Sequence, residues 1–430
     1  MTERIPCNTE GCGATILPTT AAKTGGFCMP CHQEQERQKQ QAYIEQHRKT
    51  VNLYKDLTNP VDILKMMHAP QKYDPLIQYV PYPLSKAQVY VSITAEEAGQ
   101  MLQYAVELLD AGNEDEAEQV LLSLVCYRND DISVVLPKLI ECEMYDASIL
   151  FKDGPPEIRD HLLQQVEWDD DNRNHLLLLL SWIGDSVVVS QFLEWRLHPP
   201  SWAVQLFVAP EEYALEGGWE LTQNGERRNL IHDATYAIRP TGEQHHDAAD
   251  TAAAHFLNTG ASNCPWCEGK LTIFMDVDTA HPSLAYLGLS MERLQVETCE
   301  RCGGFGTIYM ELDDQGTPVW SRFNHKPDYL PVWDDEGNGV VETKAKLTLA
   351  SKPQSPYYAA VWTLTQQDSQ IGGHPSWVQD ADYPVCPCCD NYMRFIGQVD
   401  WADFDPYGEG IFYMFICTED RLTATLYQQS

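Results

Sequence analysis

Apolar residues recur at helical spacing through the first half of the chain and give way to strand-like alternation in the second. Ala98, Met101, Leu102, Ala105 and Leu109 share one helix face behind a capping box made by Thr94 and Glu97, and Gly112 closes that helix. The next opens at Asn113 with Glu116 and carries Ala117, Val120, Leu121 and Leu124 on its face. Further helices are expected at about 132–150, 156–168, 173–183, 186–197 and 201–208, broken at Asn129-Asp130, Gly154-Pro155-Pro156, Asp169 to Asn172, Gly184-Asp185 and Pro199-Pro200. Helices with such short breaks stack as hairpins, which predicts a HEAT-like array over 86–208. Ahead of it, the Gln- and Glu-rich run from Gln33 to Leu57 reads as a solvated helix ending before Asn59-Pro60. Pro70, Pro75, Pro81 and Pro83 then mark a loop-rich junction, so 33–85 is a helical linker. After Pro210 the texture becomes Gly, Trp, Tyr and short β-prone runs, predicting a mainly-β domain over 209–430 and an α+β chain as a whole. Residues 239–262, with His245-His246, read as a connecting segment, and that histidine pair as solvated.

Fourteen cysteines change this picture. Met1 to Cys7 shows no basic-then-apolar signal sequence, so a disulfide framework is disfavoured and metal is the better reading. Cys7 and Cys12 form a C-x4-C, and Cys28 and Cys31 a C-x2-C after a fifteen-residue loop, which predicts a zinc ribbon over 1–32; His32 could replace Cys31. So short a segment needs the metal as its folding energy. Cys264, Cys267, Cys299 and Cys302 repeat the pattern as C-x2-C, thirty-one residues, C-x2-C. Strands are expected behind each knuckle, at Lys270 to Phe274 and Phe305 to Leu312, making 262–312 an inserted ribbon. Four thiolates leave no open position, so both zinc ions are expected to be structural. A third group, Cys386, Cys389 and Cys417, lacks a fourth ligand unless His374 or Cys388 supplies one; otherwise it is a knuckle that has lost its metal and survives on packing. Cys126 and Cys142 lie among apolar helix residues and read as core.

The charge is −34, from 29 Lys and Arg against 63 Asp and Glu, and residues 1–60 are nearly neutral with seven basic and six acidic side chains. Asp169-Asp170-Asp171, Asp313-Asp314, Asp334-Asp335-Glu336 and Asp400 to Asp405 spread the excess over the folded parts. Such a field repels nucleic acid and anionic membranes and speeds encounter with a basic protein, although acidity also serves solubility alone. The most apolar run, Leu176 to Ile183, is too short to span a bilayer, so a cytoplasmic monomer is expected. No nucleophile elbow, phosphate loop, dinucleotide fingerprint or H-E-x-x-H occurs, and Gly303-Gly304-Phe305-Gly306 follows a knuckle and not a strand opening a helix. Asp276-Val277-Asp278 reads as a solvated strand edge, and His232-Asp233 carries no catalytic pattern.

Ile371 to Asp400 contains Gly372-Gly373, an exposed-looking His374-Pro375-Ser376-Trp377, Tyr383-Pro384, the Cys386 knuckle, and Met393, Phe395, Gly397 and Val399 alternating as in a half-buried strand. With the glycine-led strand Gly410 to Cys417, this stretch resembles the YwqG-like domains, which carry GG-x-P-x-W, a CPxC-like knuckle and a strand ending in Q-[VL]-D. The pattern relates them to the programmed-cell-death-protein-2 family of ribosomal-protein chaperones. In that family the last strand often runs into a second C-x2-C, whereas Thr418-Glu419-Asp420 follows Cys417 here. The resemblance implies a binding module and not an enzyme. Bacterial proteins of this architecture look like immunity proteins of polymorphic toxins, implying occlusion of a nuclease or ADP-ribosyltransferase active site. The alternatives are a chaperone of a basic, ribosomal-type protein and a zinc hydrolase using the incomplete third cluster. Trp377 and Tyr383, beside Gly373, are the aromatic residues expected at the binding face.

Overall fold

The computed structural model describes residues 4–240, 254–332, 347–360, 369–403 and 408–429. They form two compact units, Met1–Val89 and Tyr90–Ser430.

In the smaller unit, β1 (Ile5–Pro6) pairs antiparallel with β2 (Thr15–Ile16), followed by α1 (Pro18–Thr24) and α2 (Met29–His47). The solvated helix expected from Gln33 therefore starts earlier, inside the second knuckle, and stops at His47, where the chain enters β3 (Lys49–Val51). It buries no residue; its exposed Glu34–Arg37 and Glu36–Lys39 pairs contribute little. Asn59 caps α3 (Pro60–His68) by accepting from the Val61 N–H, and that helix buries Val61, Ile63, Leu64 and His68. β4 (Ile77–Tyr79) then pairs in parallel with β3, and α4 (Lys86–Ser92) crosses the boundary between the units.

The larger unit opens with helices. Thr94 caps α5 (Ala95–Asp110) through the reciprocal bonds of the capping box, and Ala98, Met101, Ala105 and Leu109 are buried on its face. α6 (Glu114–Arg128) follows and buries every residue from Val120 to Tyr127. The expected helix at 132–150 breaks into short 3-10 turns around α7 (Leu136–Glu141), because Glu143 takes a left-handed conformation at φ 53°. α8 (Pro156–Val166), α9 (Arg173–Ile183) and α10 (Ser186–Leu197) lie where the breaks place them, whereas 201–208 holds only a 3-10 turn, Ser201–Gln205.

A hairpin, β5 (Trp219–Leu221) with β6 (Arg227–Asn229), leads into the sheets. The main sheet is antiparallel throughout, ordered β12-β11-β17-β16-β15-β14-β7-β13. Its strands are β7 (Thr235–Pro240), β11 (Ile308–Leu312), β12 (Pro318–Trp320), β13 (Leu347–Leu349), β14 (Gln370–Gly372), β15 (Arg394–Asp400), β16 (Ile411–Cys417) and β17 (Leu422–Gln428). A second sheet sets β9 (Lys270–Asp278) between β8 (Ala254–Asn263) and β10 (Arg293–Thr298). The segment 239–262 thus holds strand residues at both ends; His245 and His246 lie outside the described residues, as do Asp334-Asp335-Glu336. The segment 262–312 is not self-contained, since its last strand, β11, pairs with β12 and β17 of the main sheet. Asp276 is also not at an edge: β9 is central, and Arg293 pairs with Asp276 at 2.6 Å.

One apolar core lies between the two sheets, around Phe274, Ile396, Phe412 and Met414. The other fills the opposite face, around Trp377, Tyr383, Phe395 and Phe415. β15 is accordingly buried on both faces and is not a half-exposed strand. His374, Ser376, Trp377 and Tyr383, read as exposed or interfacial, are buried: Trp182 of α9 stacks on His374 at 4.7 Å, while Trp377 and Tyr383 pack on each other and on Phe415 of β16. Gly372 and Gly373 do take positive φ, and a Cβ on Gly373 would come within 1.9 Å of Thr235 Oγ1.

Candidate metal centres

The first centre is built at the ends of β1 and α2. Gly11, at φ 80°, turns the chain between Cys7 and Cys12. Cys28 is the N-cap residue of α2 and Cys31 lies in its first turn. The Cys28 amide donates to Cys7 Sγ at 3.2 Å, and bonds from the Cys28 and Thr9 backbone lower the Cys7 thiol to about 6. The four sulfurs lie within 4.8 Å of one another, and His32 is not among the converging groups.

The second centre joins the β8–β9 turn to the residues after β10. Glu268, at φ 62°, closes the first knuckle, and its amide donates to the Cys264 carbonyl at 2.8 Å. A short helix, α11 (Glu300–Gly303), forms the other. Cys264, Cys299 and Cys302 are buried beneath Leu271, Ile308 and Met310, with Trp266 and Trp320 against them. Hydrogen bonds from Cys299 and Cys302 drive the Cys264 thiol down to about 2, while proximity to Cys264 raises both neighbours. With one of these thiols lowered and two raised, all four would bind as thiolates only with a compensating cation among them.

The third centre lies between the loop before β15 and the β16–β17 turn. Cys386, Cys389 and Cys417 converge, and the fourth donor is Asp420, with all four ligand atoms within 4.8 Å of one another. Neither of the expected candidates completes the set. Cys388 is exposed, and the His374 ring is held by the Glu216 and Pro375 carbonyls at 2.7 and 2.9 Å. Cys386 and Cys417 donate to one oxygen, Asp420 Oδ2, at 3.2 and 3.3 Å, and hydrogen bonds from Cys386, Cys389 and Cys417 hold that carboxyl below its usual range. The run Thr418-Glu419-Asp420, which stands where a second C-x2-C is missing, supplies the fourth donor after all: Cys417-Thr-Glu-Asp420 repeats the C-x2 spacing with a carboxylate in the last position.

Geometry tests whether these sets fit a metal. Tetrahedral zinc with bonds of ~2.3 Å separates its sulfurs by about 3.8 Å, while a disulfide brings them to ~2.05 Å. Cys12–Cys28, Cys264–Cys302 and Cys389–Cys417 are each 3.8 Å apart and Cys267–Cys299 3.5 Å, and all fourteen cysteines are free. The donor sets are compatible with zinc. An ion in any of them would have its four positions filled by protein. Cys126 is sealed in α6 and Cys142 ends α7, both outside the clusters.

The uncharacterized protein YpfL of Salmonella typhimurium is 38% identical to the chain over 435 residues, covering all of both sequences. The chain belongs to the YpfL family. No family model matches it, and no solved structure does. In this YpfL-family chain, the three clusters sit at chain reversals and tie together strands and helices distant in sequence. Among the described residues, no helix is long and apolar enough to cross a membrane.

Proposed function

We propose that this chain is a protein-binding module whose partner is basic, and that it acts as an immunity protein occluding the active site of a cognate bacterial toxin. The observation that carries the reading is an exposed apolar segment in an acidic setting. Leu197, Val204, Phe207 and Val208 are exposed within twelve residues, Phe207 at 98% and Val204 at 87%. Trp168, at 80%, is a further exposed ring, and it follows Glu167, whose carboxylate accepts from Trp202 Nε1 at 3.1 Å. Asp169-Asp170-Asp171, Glu194, Glu211 and Glu212 flank the segment in sequence. Large exposed apolar side chains rimmed by charge are the composition of a protein interface, with aromatic anchors supplying affinity and carboxylates steering a cationic partner. The metal centres are compatible with this reading, since an ion in any of them would have its four positions filled by protein.

The test is capture from cells of the source organism with the intact chain and with Val204→Asp/Phe207→Asp. A basic protein retained by the first and lost by the second, with unchanged thermal stability, supports the proposal. Equal retention by both excludes this surface, and retention of no basic protein excludes the reading. If the captured partner has no toxic activity and is a ribosomal-type protein, the chaperone alternative replaces immunity.

A further inference from the structure

The larger unit contains a cleft of about 490 Å³, within the ~300–1,000 Å³ of small-molecule sites. Two arginines line it. Arg227, on β6, donates through Nε to Asn229 Oδ1 at 3.1 Å and through Nη1 to the Gly184 carbonyl, with its guanidinium 5.0 Å over the Trp219 ring. Gly184 keeps that seat open, because a Cβ there would come within 2.8 Å of Nη1. Arg394, at the start of β15, donates through Nη1 to the Tyr286 carbonyl at 3.2 Å, and its Nε is buried with no hydrogen-bond partner. Among the described residues, neither guanidinium has a carboxylate within 4.0 Å.

Among the described residues, Arg196 is likewise held by carbonyls alone, those of Leu221 and Thr222, but Arg227 and Arg394 are two such guanidiniums on one cleft. With 63 carboxylates for 29 Lys and Arg, a bare guanidinium is the unexpected state. Arg128, Arg159, Arg173, Arg228 and Arg293 all pair with Asp or Glu. Fixing two unneutralised arginines on one cleft costs desolvation and mutual repulsion, which a bound anion would offset. His232 adds a ring to the same wall, and its Nδ1 lies 2.6 Å from Asp233, a carboxylate that is almost fully exposed. The net charge of −34 disfavours a polyanion such as nucleic acid and leaves room for a compact one.

We propose that this cleft binds a small oxyanion compound, a phosphate or a carboxylate, with Arg394 and Arg227 as the residues that neutralise it. Planar guanidinium forks suit the paired oxygens of either group. Asp233 opposes the ligand, so its charge limits the affinity. The inference is independent of the protein partner proposed above.

Calorimetry and thermal unfolding of the full chain with inorganic phosphate and with succinate, each against sodium chloride at equal ionic strength, test it. Saturable binding with a rise in Tm is expected for at least one, and the one that binds identifies the source of the oxyanion. Arg394→Gln and Arg227→Gln should each weaken binding by about tenfold or more, as expected for loss of a charge-assisted contact. Asp233→Asn should tighten it a few-fold, a gain that misfolding cannot imitate, and Arg322→Gln, at an exposed position, should leave it unchanged. Binding no better than chloride, or equal in the intact chain, Arg394→Gln and Asp233→Asn, overturns the proposal.

Discussion

Glu216 ends the 3-10 turn Pro210–Leu215, and its backbone carbonyl accepts from His374 while its carboxyl lines a small cavity with Trp182 and Trp377. Burial, helped by the charge of Asp380, pushes that carboxyl up from 4.5 to about 7. A raised carboxyl binds its extra proton in the folded state, so its contribution to stability is present below 4.5 and lost as pH rises through 7. Glu216→Gln keeps the backbone bond and removes the charge. It should stabilise the chain at pH 8 by on the order of 1–3 kcal/mol and change little at pH 4.5, read from urea midpoints. His68, in the smaller unit, has the opposite sign: burial and Lys86 push it down to about 3, so its contribution is present above 6.5 and lost as pH falls toward 3. Asp420 carries a different expectation. Three zinc ions per chain should be found by elemental analysis, and Asp420→Ala should lower this to two, whereas Asp420→Cys should retain three. Two ions in the intact chain would leave the third cluster as a metal-free knuckle.

At the scale of elements, the paired glycines before the buried HPSW turn carry a clear expectation. Gly373 has φ 67°, and an added Cβ would meet Thr235 Oγ1 and the Pro356 carbonyl, so Gly373→Ala should cost roughly 2–4 kcal/mol by chemical denaturation. An alanine at Gly13, where a Cβ meets nothing, is the matched control. α5, α8, α9 and α10 were legible in the sequence because a capping box, prolines and an Asp185 cap punctuate a 3.6-residue period. The cysteine spacings likewise marked two complete clusters, since a knuckle is a local signal. What the pattern hid was long-range. Whether His374 faces solvent depends on α9, almost two hundred residues earlier, covering it, and whether Trp377 does depends on its packing against β16. Whether β9 is an edge depends on the pairing of β8 and β10, and β17 alternates too weakly to announce itself beside β16. Asp420 was hidden as a ligand because a carboxylate among 63 draws no notice until three sulfurs converge on it.

At the scale of the whole molecule, the excess of acid is the property that the proposed function uses. If carboxylates steer a basic partner, association should slow by about tenfold between 50 and 500 mM salt while dissociation changes little, measurable by surface plasmon resonance. A hydrophobic anchor centred on Phe207 should instead act on dissociation, so Phe207→Asp should raise the off-rate with unchanged Tm. The most direct test of the account is neutralisation. The basic partner captured by the chain is expressed alone and with it, and growth is followed at known ratios of the two proteins. The account predicts that the partner alone arrests growth and that the intact chain restores it at equimolar expression. Val204→Asp/Phe207→Asp should fail to restore growth while folding normally. Restoration by that variant as fully as by the intact chain, or a partner that never impairs growth, would contradict it.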